Sequence, residues 1–125
     1  MGETIEQKHA QMVAKLSKPG GLILEDLSAH KMEVLHMAVG ICGEAGELID
    51  IAKKYAIYNK DMNAEMHIHF IEELGDLEFY MQRLRQLLHL GRADILEANI
   101  KKLAVRYENF EYSDKAAHLR ADKKP

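Results

Sequence analysis

With 125 residues, the chain can bury the core of one domain and has no room for a second. Apolar residues make up 47% and charged residues 30%, and a formal charge of −3 argues against binding duplex nucleic acid by bulk electrostatics. No apolar run approaches the ~20 residues that cross a bilayer, Met1 to Gln11 lacks the apolar core of a signal peptide, and Cys42 has no disulfide partner. A reducing, cytoplasmic setting and no membrane association are expected, with one domain over 1–125, its core at about 28–107 and a tail at 108–125.

Ile5, Met12, Val13 and Leu16 predict a short helix from Thr4 to Ser17, opened by a capping box of Thr4 and Gln7. Pro19-Gly20-Gly21 ends it, and Leu22 to Leu27 reads as a connection. From an N-cap at Ser28, the set Val34, Leu35, Ala38, Ile41, Cys42, Ala45, Leu48, Ile49 and Ala52 recurs at three and four residues, the strongest helical pattern in the chain. On this pattern Cys42 is a small core residue. Gly40, Gly43 and Gly46 each cost about 1 kcal/mol relative to Ala inside a helix, which calls for close helix packing or ligand approach.

After a break at Tyr58-Asn59-Lys60-Asp61, Met66, Phe70, Leu74, Leu77, Met81, Leu84 and Leu88 trace a second long helix that ends with Gly91 as a C-cap residue. The two form a long antiparallel hairpin. A shorter helix from about Asp94 to Tyr107 sends Leu96, Ile100 and Leu103 to the core and leaves Asn99, Lys102 and Arg106 on one polar strip. Beyond it the chain is rich in charge, with Phe110, Tyr112 and Leu119 as anchors. The expected fold is all-α, a four-to-five-helix bundle. Apolar residues outside the main stripes, Met37, Ile51, Tyr80 and Leu87, exceed the needs of one small bundle and point to a homo-oligomer.

The chemistry lies in two carboxylate pairs. Glu44 and Glu47 fall about 60° apart on one helix, and Glu73 and Asp76 about 60° apart on the other. One such pair is common on a solvated face. Two pairs at matching positions beside apolar stripes place four carboxylates at the edge of a buried seam, where they repel by several kcal/mol unless cations lie between them. All-oxygen ligands favour Mg²⁺, for which Mn²⁺ can substitute, and Mg²⁺ shares its shell with phosphates, so the expected ligand is a polyphosphate. A di-iron bundle needs two Glu-x-x-His units, whereas only Glu33-Val-Leu-His36 has that spacing and His36 falls on the far side of its helix. His69 lies near the carboxylate face and reads as solvated. No Gly-rich loop joins a strand to a helix, which excludes a P-loop.

The run from His36 through Gly43-Glu-Ala-Gly-Glu47 to Asp50, then Glu72-Glu-Leu-Gly-Asp76 with Phe79-Tyr80, resembles the MazG-like branch of the all-α nucleoside triphosphate pyrophosphohydrolases. Asn99-x-x-Lys102-Leu103-x-x-Arg106-Tyr107-x-x-Phe110 and Ala117-x-x-Arg120 are similar to the stretch that follows in small phage and bacterial members. The resemblance spans about residues 28 to 122. It implies cleavage of a triphosphate between the α and β phosphates, with Mg²⁺ held by Glu44, Glu47, Glu73 and Asp76. Glu44 or Glu47 would then orient or deprotonate the attacking water. It also implies phosphate and nucleotide contacts from Lys53, Lys54, Asn99, Lys102, Arg106 and Arg120, dimers or tetramers, and a host-cytoplasmic site if the gene is a phage's. Gly43 stands where many relatives carry another Glu, Glu78 where an apolar residue is usual, and Phe79 where Trp is common. A non-catalytic helical module on the same scaffold is the rival reading.

Overall fold

The computed structural model describes residues 2–123, and every regular element among them is helical. In order these are α1 (Ile5–Leu16), α2 (Gly20–Asp26), α3 (Ala29–Ala56), α4 (Ala64–Leu87), α5 (Arg92–Arg106) and α6 (Asp114–Leu119), with 3-10 turns at Glu108–Phe110 and Ala121–Lys123. Met1 and the last two residues of the expected tail lie outside the described residues. The chain forms two compact units, one ending at Glu33 and the other starting at Val34.

In the first unit the capping box closes as expected. The Gln7 N–H donates to Thr4 Oγ1 at 3.2 Å and the Thr4 N–H to Gln7 Oε1 at 2.9 Å, satisfying two amides that have no partner inside the helix. The stretch expected to be a connection is instead the helix α2. Proline needs no N–H partner and its fixed φ suits a helix entry, so Pro19 (φ −61°) starts an element rather than only ending one. Its carbonyl accepts from the Leu22 and Ile23 amides. Ser28 accepts from the Lys31 amide at 3.2 Å, as expected of an N-cap. The apolar side chains of α1 and α2 are not buried, with Ile5 75% and Leu16 76% exposed.

The second unit is organised by a period of 3.5 residues. On α4, Met66, Phe70, Glu73, Leu77, Tyr80, Leu84 and Leu87 follow one another by alternate steps of four and three, and all are buried or half-buried. On α3 the same holds for Val34, Met37, Ile41, Glu44, Leu48 and Ile51. Alternate steps of three and four are the seam of a coiled coil, in which each helix keeps one narrow stripe against its partner. Gly40 lies against Tyr80 and Glu44 beside Asp76, and both pairs are equidistant from residue 60 in the connection, so the helices run antiparallel.

The seam corrects the expected core. Met37, Ile51 and Leu87, read as surplus, are the buried apolar residues among those described. Leu35, Ile49, Leu74 and Leu88, read as core, are 54%, 67%, 50% and 42% exposed, and Cys42 is exposed as well. A set collected at any spacing of three or four merges two neighbouring heptad faces, and only one of them meets the other helix. Leu96 and Ile100 on α5 are likewise exposed, and only Leu103 of that expected trio is half-buried. Gly91 is not a C-cap. It is the N-cap of α5, and His89, at φ 53°, takes the left-handed position that reverses the chain after α4. In the tail Phe110, Tyr112 and Leu119 are exposed, while Ala116, Ala117 and Asp122 turn inward.

Close packing explains Gly40 alone among the three helix glycines. A Cβ there would lie 2.7 Å from Tyr80 Cγ and nearer still to two other ring carbons, whereas Cβ atoms at Gly43 and Gly46 meet nothing. Gly40→Ala is expected to destabilise the protein by ~1–3 kcal/mol through overpacking, and Gly43→Ala to stabilise it by ~1 kcal/mol through helix propensity. Chemical denaturation measures both. In a Tyr80→Ala background the Gly40→Ala cost should disappear.

Candidate metal centre

Each carboxylate pair is split by the seam. Glu44 and Glu73 occupy seam positions and are half-buried, whereas Glu47 and Asp76, three residues on, stand exposed at its edge. Oxygen atoms of Glu44, Glu73 and Asp76 all lie within 4.8 Å of one another. That span is one an oxygen-ligated cation bridges. Glu47, expected as the fourth ligand, is not part of this group; its carboxylate remains solvated next to it.

Glu73 bears the cost of the arrangement. Its Oε2 is buried and no donor reaches it. Glu73's ordinary value of 4.5 is raised, first by a hydrogen bond shared with the Glu44 carboxyl, then by burial and by the negative charges of Glu44, Asp76 and Glu72. A carboxylate oxygen that has lost water and gained no N–H is satisfied in two ways: by a proton held between the two glutamates, or by a cation. The donor set, all carboxylate oxygen, fits a hard divalent ion such as Mg²⁺ or Mn²⁺.

A cleft of about 340 Å³ opens beside the cluster, lined by Glu44, Asp76, Phe79 and Tyr80. The two rings meet edge to face, 5.3 Å apart at 88°. Tyr80 is pinned in the seam against Gly40, which leaves Phe79, 66% exposed, to offer its face to a planar group. Carboxylates for a cation and an aromatic surface thus share one opening.

The expected cationic contacts are scattered. Lys53 lies over the Tyr58 ring, 5.3 Å from its centroid, and Lys54 pairs with Asp50 at 3.2 Å, both near the end of α3. Lys54 and His69 also line a cleft of about 460 Å³ at the hairpin turn, together with Lys60 and Asn63. Asn99 and Lys102 are exposed on α5, free of neighbours that would bury them. Arg106 is half-buried and its guanidinium is engaged by Asp122 at 2.8 Å, a partner that nothing in the irregular charge pattern of the tail signalled. Arg120 is the left-handed residue that closes α6, at φ 46°. The heptad count would have found Glu44 and Glu73 as seam residues. No helix among the described residues is long and apolar enough to cross a membrane. No family model, curated protein or solved structure matches the chain.

The raised Glu73 value fixes a pH dependence. The folded state holds this proton more tightly than the unfolded chain, so the associated stability is fully present below about pH 4.5 and is lost as pH rises through the folded value. Without divalent ions, the wild type should therefore lose stability at this site as pH rises from about 4.5 towards neutrality. Urea denaturation across that range should show the loss, and Glu73→Gln should remove it. An unchanged slope in the variant would place the proton elsewhere.

Proposed function

We propose that the chain is a MazG-like, Mg²⁺-dependent pyrophosphohydrolase that splits a nucleoside triphosphate into the monophosphate and pyrophosphate, acting in control of the nucleotide pool. The observation that carries this reading is the Glu44, Glu73 and Asp76 cluster, in which a buried glutamate oxygen has carboxylates for neighbours and no donor. Such a group asks for a cation, and the adjoining aromatic cleft suits a base.

Glu44, Glu73 and Asp76 would hold the metal, which when bound neutralises phosphate charge and makes water a better nucleophile. Glu47 sits one turn along α3 with a solvated carboxylate, suited to complete the ligand set or to accept a proton from water, a role for which Glu44 is the other candidate. Phe79 would stack on the base. Asn99 and Lys102, with Lys53, Lys54, Arg106 and Arg120 as further candidates, would meet sugar and phosphates. A charge on Lys102 would stabilise the pyrophosphate as it leaves.

The proposed working form is a homo-oligomer in the cytoplasm. On α3, Leu35, Val39, Cys42, Gly46 and Ile49 form a second face with steps of four and three, and every one is exposed. Ile68, Ile71 and Gly75 begin a similar exposed face on α4. Small residues beside large apolar ones suit close approach of another hairpin, as in a four-helix bundle.

Incubation with each triphosphate and Mg²⁺, followed by product separation, tests the activity. Pyrophosphate and a monophosphate are expected; orthophosphate release, or tight metal-independent binding without turnover, contradicts it. Lys102→Ala should lower kcat/KM by roughly 10²-fold, a cost of ~2.7 kcal/mol, with the fold intact. Asn99→Ala should act mainly on KM. Near wild-type kcat/KM for Lys102→Ala would make the α5 strip an ordinary solvated face.

A further inference from the structure

The tail returns to α5 and is fastened there by one carboxylate. Arg106 donates through Nε and Nη2 to the two oxygens of Asp122, at 2.8 and 3.1 Å, across 16 positions of chain. The Asp122 side chain is 3% exposed, although the 3-10 turn that carries it begins and ends on exposed residues. Its carboxyl is held below the ordinary value, first by the Arg106 hydrogen bonds and also by the charge of Lys102, so it lies in the field of both cations of the α5 strip.

The rest of the segment packs on α5 with little burial of large apolar side chains. Phe110, Tyr112 and Leu119 are 67%, 73% and 49% exposed, leaving the Tyr107–Tyr112 ring contact and the small side chains of Ala116 and Ala117. Just before the clasp, Arg120 takes a left-handed conformation (φ 46°, ψ 55°) that a residue with a Cβ adopts only at a cost. The fork that a guanidinium presents to a carboxylate is the same one it presents to a phosphate. Asp122 therefore fills, from within the chain, a place shaped for an anion.

We propose that residues 108–123 form an autoinhibitory strap, in which Asp122 occupies the anion position made by Arg106, one turn along α5 from Lys102, and a polyphosphate binds there by displacing it. The proposal rests on the reading of the α5 strip as a phosphate contact. Occupancy by polyphosphate releases the strap, and the strap in turn lowers the strip's affinity for every phosphate ligand. Arg106 thus serves two partners in alternation.

Inorganic tripolyphosphate, titrated calorimetrically into the full chain without divalent ions, tests this independently of turnover. Asp122→Asn should bind it about tenfold more tightly than wild type, and Arg106→Gln should weaken binding. Hydrogen exchange on the wild type needs no variant: saturation with tripolyphosphate should lower the protection of amides at 114–123 severalfold while α3 and α4 stay protected. Equal affinities for wild type and Asp122→Asn, no binding to either, or a strap still protected in the saturated complex overturns the proposal. A chain that cleaves triphosphates yet fails these tests loses the strap and keeps its activity. An inactive chain whose strap is released loses the activity and keeps the strap.

Discussion

Placing a carboxylate in the seam of a helical hairpin removes its water without supplying a donor, and this chain does so with Glu73 on α4, which faces a second half-buried carboxylate, Glu44 on α3. Each side of that layer shows how the cost is contained. Gly40 lets Tyr80 close the seam next to Glu44, so the two glutamates are held at a fixed spacing rather than splaying apart into solvent. Asp76 stands at the rim, where its charge adds to the negative field while its oxygens stay accessible. Buried Met37 and Ile51 lie on the same stripe of α3, two turns from Glu44 on either side, and anchor the helix across the polar layer. A repulsive layer between apolar ones is a strained arrangement until a cation or a proton enters it.

The second constraint is area. Three apolar residues are buried among those described, and a further heptad face on α3 presents Leu35, Val39 and Ile49 to solvent with Cys42 and Gly46 between them. Helices gain most of their stability from packing an apolar stripe, so a hairpin with two stripes and one internal partner has a stripe to spare. The homo-oligomer proposed above would cover that stripe and leave the carboxylate layer inside each hairpin.

Local signals in the sequence decide the helix caps. Thr4 with Gln7, and Ser28, act as caps because a side-chain oxygen three residues upstream of an amide has few alternatives. The helical hairpin and the proximity of Glu44 to Glu73 and Asp76 also followed from spacing. What failed was the choice between adjacent faces of one helix. A set collected at three and four residues takes in Leu35 and Ile49 on one side of Val34, Ile41 and Leu48, whereas the seam takes in Met37, Glu44 and Ile51 on the other side. Pro19 starts α2 as well as ending the run before it, and His89 supplies the left-handed turn expected of Gly91. The Arg106–Asp122 clasp was illegible because a single Asp in a charged tail carries no period, and only the folded chain brings it to α5.

The proposed metal centre of Glu44, Glu73 and Asp76 would exchange a proton shared by the two glutamates for a divalent cation. Calorimetric titration of Mn²⁺ at mildly acidic pH, run in two buffers of different ionisation enthalpy, measures binding and proton release together. The wild type is expected to bind Mn²⁺ with release of protons, and Glu73→Gln to bind weakly with none released. Binding of equal strength in the variant, or binding by the wild type that releases no proton, would contradict it.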